Sequence, residues 1–295
     1  MEYFLNFPSL GRETLRDFKK GVDSSFKEFS RSHGEGIESF FEPLLQFLVF
    51  FEKLLINSPW PLTILLIAFL TWKASQKLSL VIGTVLSFII IGLFGMWEDT
   101  MSTLAIISVA TLLCLIIGTP IGIIMAKSNK VSTIMSPVLD TMQTIPTFVY
   151  LIPIIMLLGI GKVPGLIAVC IYAIPPIVRL TNLGIREVNT KLIEAGKALG
   201  ISKFVILYKI EFPLALPSIM TGVNQTIMMS LAMVVIASMI GVSGLGVPIL
   251  RSISNQYLAL GLMNGLAIVA LAIIFDRISQ HYGRRMQKHK DALKK

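Results

Sequence analysis

Glu194 and Gly200 belong to the longest run between two apolar segments, residues 181–213. Within it, Leu192, Ala195, Leu199 and Ile201 punctuate a basic helical pattern that Asn189 or Thr190 can cap. Gly200 then permits a sharp turn or a left-handed helix stop. A second amphipathic stretch, residues 204–212, leads to Pro213 and the next apolar run. Short helix, glycine, short helix is a shape that docks into a groove on a partner; the other reading is an interfacial helix lying on lipid. The chemistry on offer is mechanical. A phosphate-cradling loop needs G-x-x-x-x-G-K-[ST], but Gly161-Lys162 has Met156 at the first glycine position and Val163 at the hydroxyl position. Gly196-Lys197 is followed by Ala198 and fails as well. There is no zinc-type H-E-x-x-H, paired catalytic carboxylate or nucleophile elbow. Cys114 and Cys170 lie inside apolar runs without metal or disulfide spacing. No catalytic residue, metal or cofactor is expected, and any uphill movement must draw its energy from another subunit.

Two further polar sets sit in apolar surroundings. Gln143, Thr147 and Tyr150, spaced four and three apart, are predicted to share a helix face. Asn224, Gln225, Met228 and Met229 fall near one another in a later apolar run. Polar side chains in lipid either join helices or line a path for a solute, and both readings stand for these residues. Pro146, Pro153, Pro164, Pro175 and Pro176 mark hinges or packing kinks.

The elements that must hold these residues follow from composition. The chain has 295 residues, 54% hydrophobic and only 15% charged, with a mean hydropathy of +0.77. Soluble domains carry about 25% charge, so the apolar excess needs a solvent other than water. At about 20 apolar residues per span, roughly seven transmembrane helices fit. We place them near 59–75, 78–97, 101–126, 141–160, 164–180, 214–241 and 258–276. An ordinary soluble enzyme, a disordered chain and a secreted disulfide scaffold are excluded. The first seven residues lack a signal-peptide pattern. Leu15, Phe18, Val22, Phe26 and Phe29 recur at helical steps. Residues 37–56 are greasier but interrupted by Glu42, Pro43 and Glu52, so a helix in the membrane interface is expected there rather than a span.

The formal charge of +9 is distributed by side. Lys73 and Lys77, Lys127 and Lys130, the cluster from Arg179 to Lys209, and the tail from Arg277 to Lys295 fall on every second connection. The positive-inside rule puts these in the cytoplasm, with the amino terminus outside and the carboxyl terminus inside. The basic tail then reads as a topology anchor rather than a nucleic-acid site. The stretches 101–126, 141–160, 164–178, 214–250 and 258–275 contain no Asp, Glu, Lys or Arg, so an ion-coupled carrier has no evident relay.

Glu194-Ala195-Gly196, Gly200 after three intervening residues, then Ile210 and Pro213 resemble the EAA loop of binding-protein-dependent ABC importer permeases, E-A-A-x3-G-x9-I-x-L-P. The chain departs from that pattern at Gly196, where the family has Ala, and at Phe212, where it has Leu. Residues 140–151, 222–226 and 234–240 are similar to the glycine betaine/proline betaine branch of the family, and the likeness runs over roughly residues 40–280. The resemblance implies an all-α polytopic fold of the type I ABC importer permease kind in a bacterial inner membrane. It also implies a homodimer, two copies of an ABC ATPase below and a periplasmic substrate-binding protein above, serving uptake of compatible solutes. Glu194 would make a polar contact to the ATPase, Ala195 and Gly196 would pack closely against it, and Gly200 would set the angle of the next segment. Other readings are a permease for choline, carnitine or an amino acid, or a membrane scaffold that conducts nothing. The expected organisation is an external or interfacial extension (1–58), two peripheral helices (59–97), a permease core with its coupling loop (98–280, loop 181–213) and a basic cytoplasmic tail (281–295).

Overall fold

The computed structural model describes residues 11–292, with backbone alone for residues 282 and 284–292. The first ten residues of the extension and residues 293–295 of the basic tail therefore lie outside the described residues. Among the described residues the chain is helical throughout. In order these are α1 (Arg12–Asn57), α2 (Trp60–Ser75), α3 (Leu78–Leu93), α4 (Trp97–Lys127), α5 (Asn129–Thr144), α6 (Thr147–Leu158) and α7 (Lys162–Arg186). The short α8 (Thr190–Ala198) and α9 (Lys203–Ile206) follow, and a π-helical turn (Leu207–Glu211) runs α9 into α10 (Phe212–Ala237). A 3-10 turn (Ser238–Ile240), α11 (Gly246–Asn255) and α12 (Leu258–Ala292) complete the chain.

Among the described residues, four helices are long and apolar enough to cross a bilayer: Trp97–Lys127, Lys162–Arg186, Lys203–Ile240 and Leu258–His281. The expected fourth span, 141–160, is not one helix. α5 and α6 meet at 96°, with Ile145 extended (φ −63°, ψ 128°) between them. The cause is Pro146, whose ring disfavours a helical conformation in the residue before it. Likewise α1 meets α2 at 109°, so the greasy end of α1 and α2 do not form one straight helix. Counting each bent pair once gives six spans at most, with α3 as a shorter apolar helix, against the seven expected from hydropathy. α2 and α3, with 16 residues each, reach only about 24 Å at 1.5 Å per residue. They pack on each other and on α12.

The centre of the fold is α7, held between α4 and α10. In lipid, apolar surface alone does not draw helices together; close backbone approach through small residues does. Gly118 and Gly122 of α4 lie directly against Ile177, Val178 and Thr181 of α7, where a Cβ on Gly122 would stand 2.7 Å from the Val178 carbonyl oxygen. From the other side, a Cβ on Gly222 of α10 would meet the Ile177 backbone at 3.1 Å. Gly184 of α7 faces Ala215 and Ser218 of α10 in the same way. Ile177 is wholly buried between both neighbours.

The other end of these helices is closed by short loops. The Gly161 N–H donates to the Ile240 carbonyl at 2.9 Å, and the Leu245 N–H donates to Thr103 Oγ1 at 2.9 Å. Gly244, with φ +126°, sits against Asp99 and Thr103, where a side chain would clash. α1 is tied to this end. Buried Glu52 accepts from Ser102 Oγ at 2.9 Å and pairs with Lys162 at the start of α7. Further along, Ser30 Oγ donates to the Met156 carbonyl at 2.6 Å.

Gly122→Val is expected to lower stability by about 1–3 kcal/mol through overpacking, because the new side chain meets a backbone oxygen that no rotamer can move. Gly83→Ala, with open space around its Cβ, serves as the control and should melt no lower than the parent. Thermal unfolding of the purified protein in detergent checks both, and equal melting temperatures for the two variants would contradict the packing described.

Candidate coupling segment and solute path

α7 ends at Arg186, and the chain turns into α8 with Asn189 Oδ1 accepting from the Lys191 N–H at 3.0 Å, the cap expected from its residue type. α8 closes on Gly200. The Gly200 N–H donates to the Lys197 carbonyl and the Ile201 N–H to the Gly196 carbonyl, each at 3.0 Å. This paired closure requires a left-handed residue at the glycine, and Gly200 has φ +73° with no atom within 4 Å of a would-be Cβ. The backbone angle, not space, therefore selects glycine here. Ser202 Oγ accepts from the Val205 N–H at 3.4 Å and starts α9.

Glu194 and Ala195 are exposed on α8, while Gly196 is buried. A Cβ at Gly196 would meet Ile206 at 3.3 Å and Ile210 at 3.4 Å. The expectation that Gly196 packs against a partner is corrected on this point: its face is turned inward and filled by this chain's own isoleucines. Ile210 of the motif is thereby placed against Gly196 of the motif. Pro213 falls in the first turn of α10, directly after the π-helical turn, and its lack of an N–H removes one hydrogen bond from the helical run at that point.

Sequence reasoning missed the polar joint beneath this segment. Glu211, the last residue of the π-helical turn, is buried and pairs with Lys127 at the end of α4. Beside it, Arg186 donates to the Met125 carbonyl and to Asn129 Oδ1, both at 2.8 Å. The ends of α4 and α7 and the starts of α5 and α10 thus meet in one cluster. A groove of about 840 Å³ opens between it and α8, with Glu194, Lys197, Phe204 and Glu211 in its lining. No sequence spacing links positions 127 and 211; only the charges of the two residues, each beside a span end, give a signal.

The expected shared face of Gln143, Thr147 and Tyr150 does not form, because the 96° bend falls between the first and the other two. Gln143 and Tyr150 nevertheless approach the same stripe of α10. Gln143 Nε2 lies 3.6 Å from Met229 Sδ, and Tyr150 Oη lies 3.7 Å from Met233 Sδ. Thr147 is half-buried at the first turn of α6. Asn224 joins helices instead. Its Nδ2 donates to Asp276 Oδ1 at 2.8 Å, and its Oδ1 accepts from Ser279 Oγ at 2.6 Å. Asp276, also missed, takes a further hydrogen bond from Gln280 at 2.8 Å. Gln225 and Met228, with Thr221 and Ala232, form a face of α10 that remains exposed.

Residues 118–288 match the family model described as the inner membrane component of binding-protein-dependent transport systems. The chain belongs to this family. It is 48% identical to the glycine betaine/proline betaine transport system permease protein ProW of Escherichia coli over 79% of this chain and 66% of that protein. It is 44% identical to the glycine betaine/carnitine transport permease protein GbuB of Listeria monocytogenes over 77% and 81%. With the glycine betaine transport system permease protein OpuAB of Bacillus subtilis it shares 37% over 90% and 91%. The chain spans just under two thirds of the E. coli relative's length, and 62% of the Salmonella typhimurium protein of the same name. A chain of the inward-facing MetNI methionine ABC transporter superposes with a TM-score of 0.57 at 21% identity, covering 63% of this chain and 93% of that one. At that identity the likeness speaks to the fold.

Gly200→Val should cost about 1–2 kcal/mol locally and displace α9 from α8, whereas Gly200→Asn, which tolerates the left-handed region, should keep the geometry. Spin-label distances between α8 and α9 in detergent check this, and an unchanged distance in the valine variant would contradict it. Asn224→Leu should lower stability by about 1.5–3 kcal/mol by stripping a hydrogen bond from Asp276, while Gln225→Leu leaves melting unchanged. Equal melting curves for the two would return Asn224 to the path-lining reading.

Proposed function

We propose that this chain is the permease subunit of an ATP-driven importer for compatible solutes of the glycine betaine class. The observation that carries the reading is α8: its Glu194 and Ala195 are presented outward, while Gly196 seats the helix on Ile206 and Ile210 and the Gly200 closure turns the chain into α9. A helix so presented is built to receive a push from a docked protein rather than to perform chemistry of its own. The substrate class follows the names of the relatives at 37–48% identity.

In this reading two copies of the chain form the pore, two copies of an ABC ATPase grip α8 from the cytoplasm, and an external binding protein delivers the solute. The amino terminus and α1 lie outside, with the apolar stripe of α1 on the membrane surface, and the basic tail lies inside. The exposed face of α10 carrying Gln225 and Met228, with Gln143, Thr147 and Tyr150 nearby, would border the path between the two copies. A quaternary ammonium is normally held in an aromatic cage, and the sequence offers no clustered Trp or Tyr set for one. Selection then belongs to the binding protein, and conduction to this subunit.

Reconstitution with an ABC ATPase and a glycine betaine-binding protein in proteoliposomes should give uptake of labelled glycine betaine that needs ATP inside. Uptake driven by an ion gradient without ATP, or purification with no ATPase bound, would contradict the proposal.

A further inference from the structure

Glu211 is 2% exposed and closes the π-helical turn immediately before α10. A π-helical turn is rare and inserts a residue into the helical register, often at functional sites. Here it lets one short segment face two ways. Ile206 and Ile210 turn to Gly196 of α8, and the Glu211 carboxylate turns to Lys127 Nζ at the last residue of α4. α8 packs within this chain on α9 and the π-helical turn. A force applied to α8 therefore enters the membrane domain at the end of α7, to which residues 187–189 join it, and through that segment. From there it passes to α10 along the chain and to α4 across the ion pair.

We propose that the Glu211–Lys127 pair is a positioning joint that carries displacement of α8 into α4, so that α4 and α10 move as one. The inference rests on the transport reading above. A pair with one member this deeply buried resists separation, since pulling it apart leaves a charge unpaired at low dielectric. Without the pair, α8 would still move α10, but α4 would no longer follow through this contact. The neighbouring Arg186 contacts bind α7 to α4 and α5 and leave α10 out; α4 also packs on α7 and α10, so the pair adds to that packing a charged tie at the very end of α4.

The test uses the full complex with ATPase and binding protein in proteoliposomes and reads solute taken up per ATP hydrolysed. Glu211→Gln and Lys127→Gln keep side-chain size while removing one charge; the exchange Lys127→Glu with Glu211→Lys restores opposite charges. Both single variants should retain bound ATPase and hydrolysis while uptake per ATP falls about tenfold, a typical allosteric coupling, and the exchange should recover at least half of it. Wild-type uptake per ATP in Glu211→Gln, or an exchange variant as poor as the singles, would overturn the joint. So would a loss in both singles that merely tracks lost ATPase binding. If the parent complex itself shows no ATP-driven uptake, the transport reading falls, and this inference with it.

Discussion

Everything in this fold depends on how closely α7 approaches its two neighbours. In water the burial of apolar side chains would hold three such helices together; in lipid the tails compete for the same contacts, and only tight packing tips the balance. Glycines at 118, 122, 184 and 222 remove the side chains that would keep backbones apart. Ile177 fills the space between α4 and α10, so both neighbours are indexed to one residue. Polar ties then fix the ends: Glu52, Ser102 and Lys162 at one, Glu211 and Lys127 at the other.

The same economy of contacts holds the short segment that follows α7. A helix as short as α8 has little stability of its own. It is held by an Asn189 cap, by the paired closure at Gly200, and by isoleucines seated on Gly196. The first two fix the ends of the helix, the third seats it on α9 and the π-helical turn, and all three leave Glu194 exposed. The departure from the family pattern at Gly196 falls on the inward side, so it alters packing within the chain rather than the presented surface.

Much of this was legible in the sequence where the cause is local. Gly200 announced a helix stop because only glycine adopts that backbone angle cheaply, and Asn189 announced a cap. The motif spacing led to the family that the comparisons show. Reading failed where hydropathy overrode stereochemistry: the apolar run 141–160 looked like one span, yet Pro146 breaks it into two helices at 96°. It failed also where contacts are distant in sequence. Glu52 read as an interruption and is the anchor of α1. Asn224 read as a pathway residue as readily as a helix joint, until Asp276 and Ser279 were seen beside it. Periodicity names a face but not what covers it.

The central claim is that the outward side of α8 is gripped by a nucleotide-driven subunit in the cytoplasm. Single cysteines at positions 194 and 195, in a background lacking Cys114 and Cys170, test it in intact cells expressing the whole system. The account predicts disulfide or short-linker crosslinks to the ATPase from both positions, and no reaction with a membrane-impermeant thiol reagent added outside. Labelling from the exterior, or crosslinking to lipid in place of protein, would contradict it.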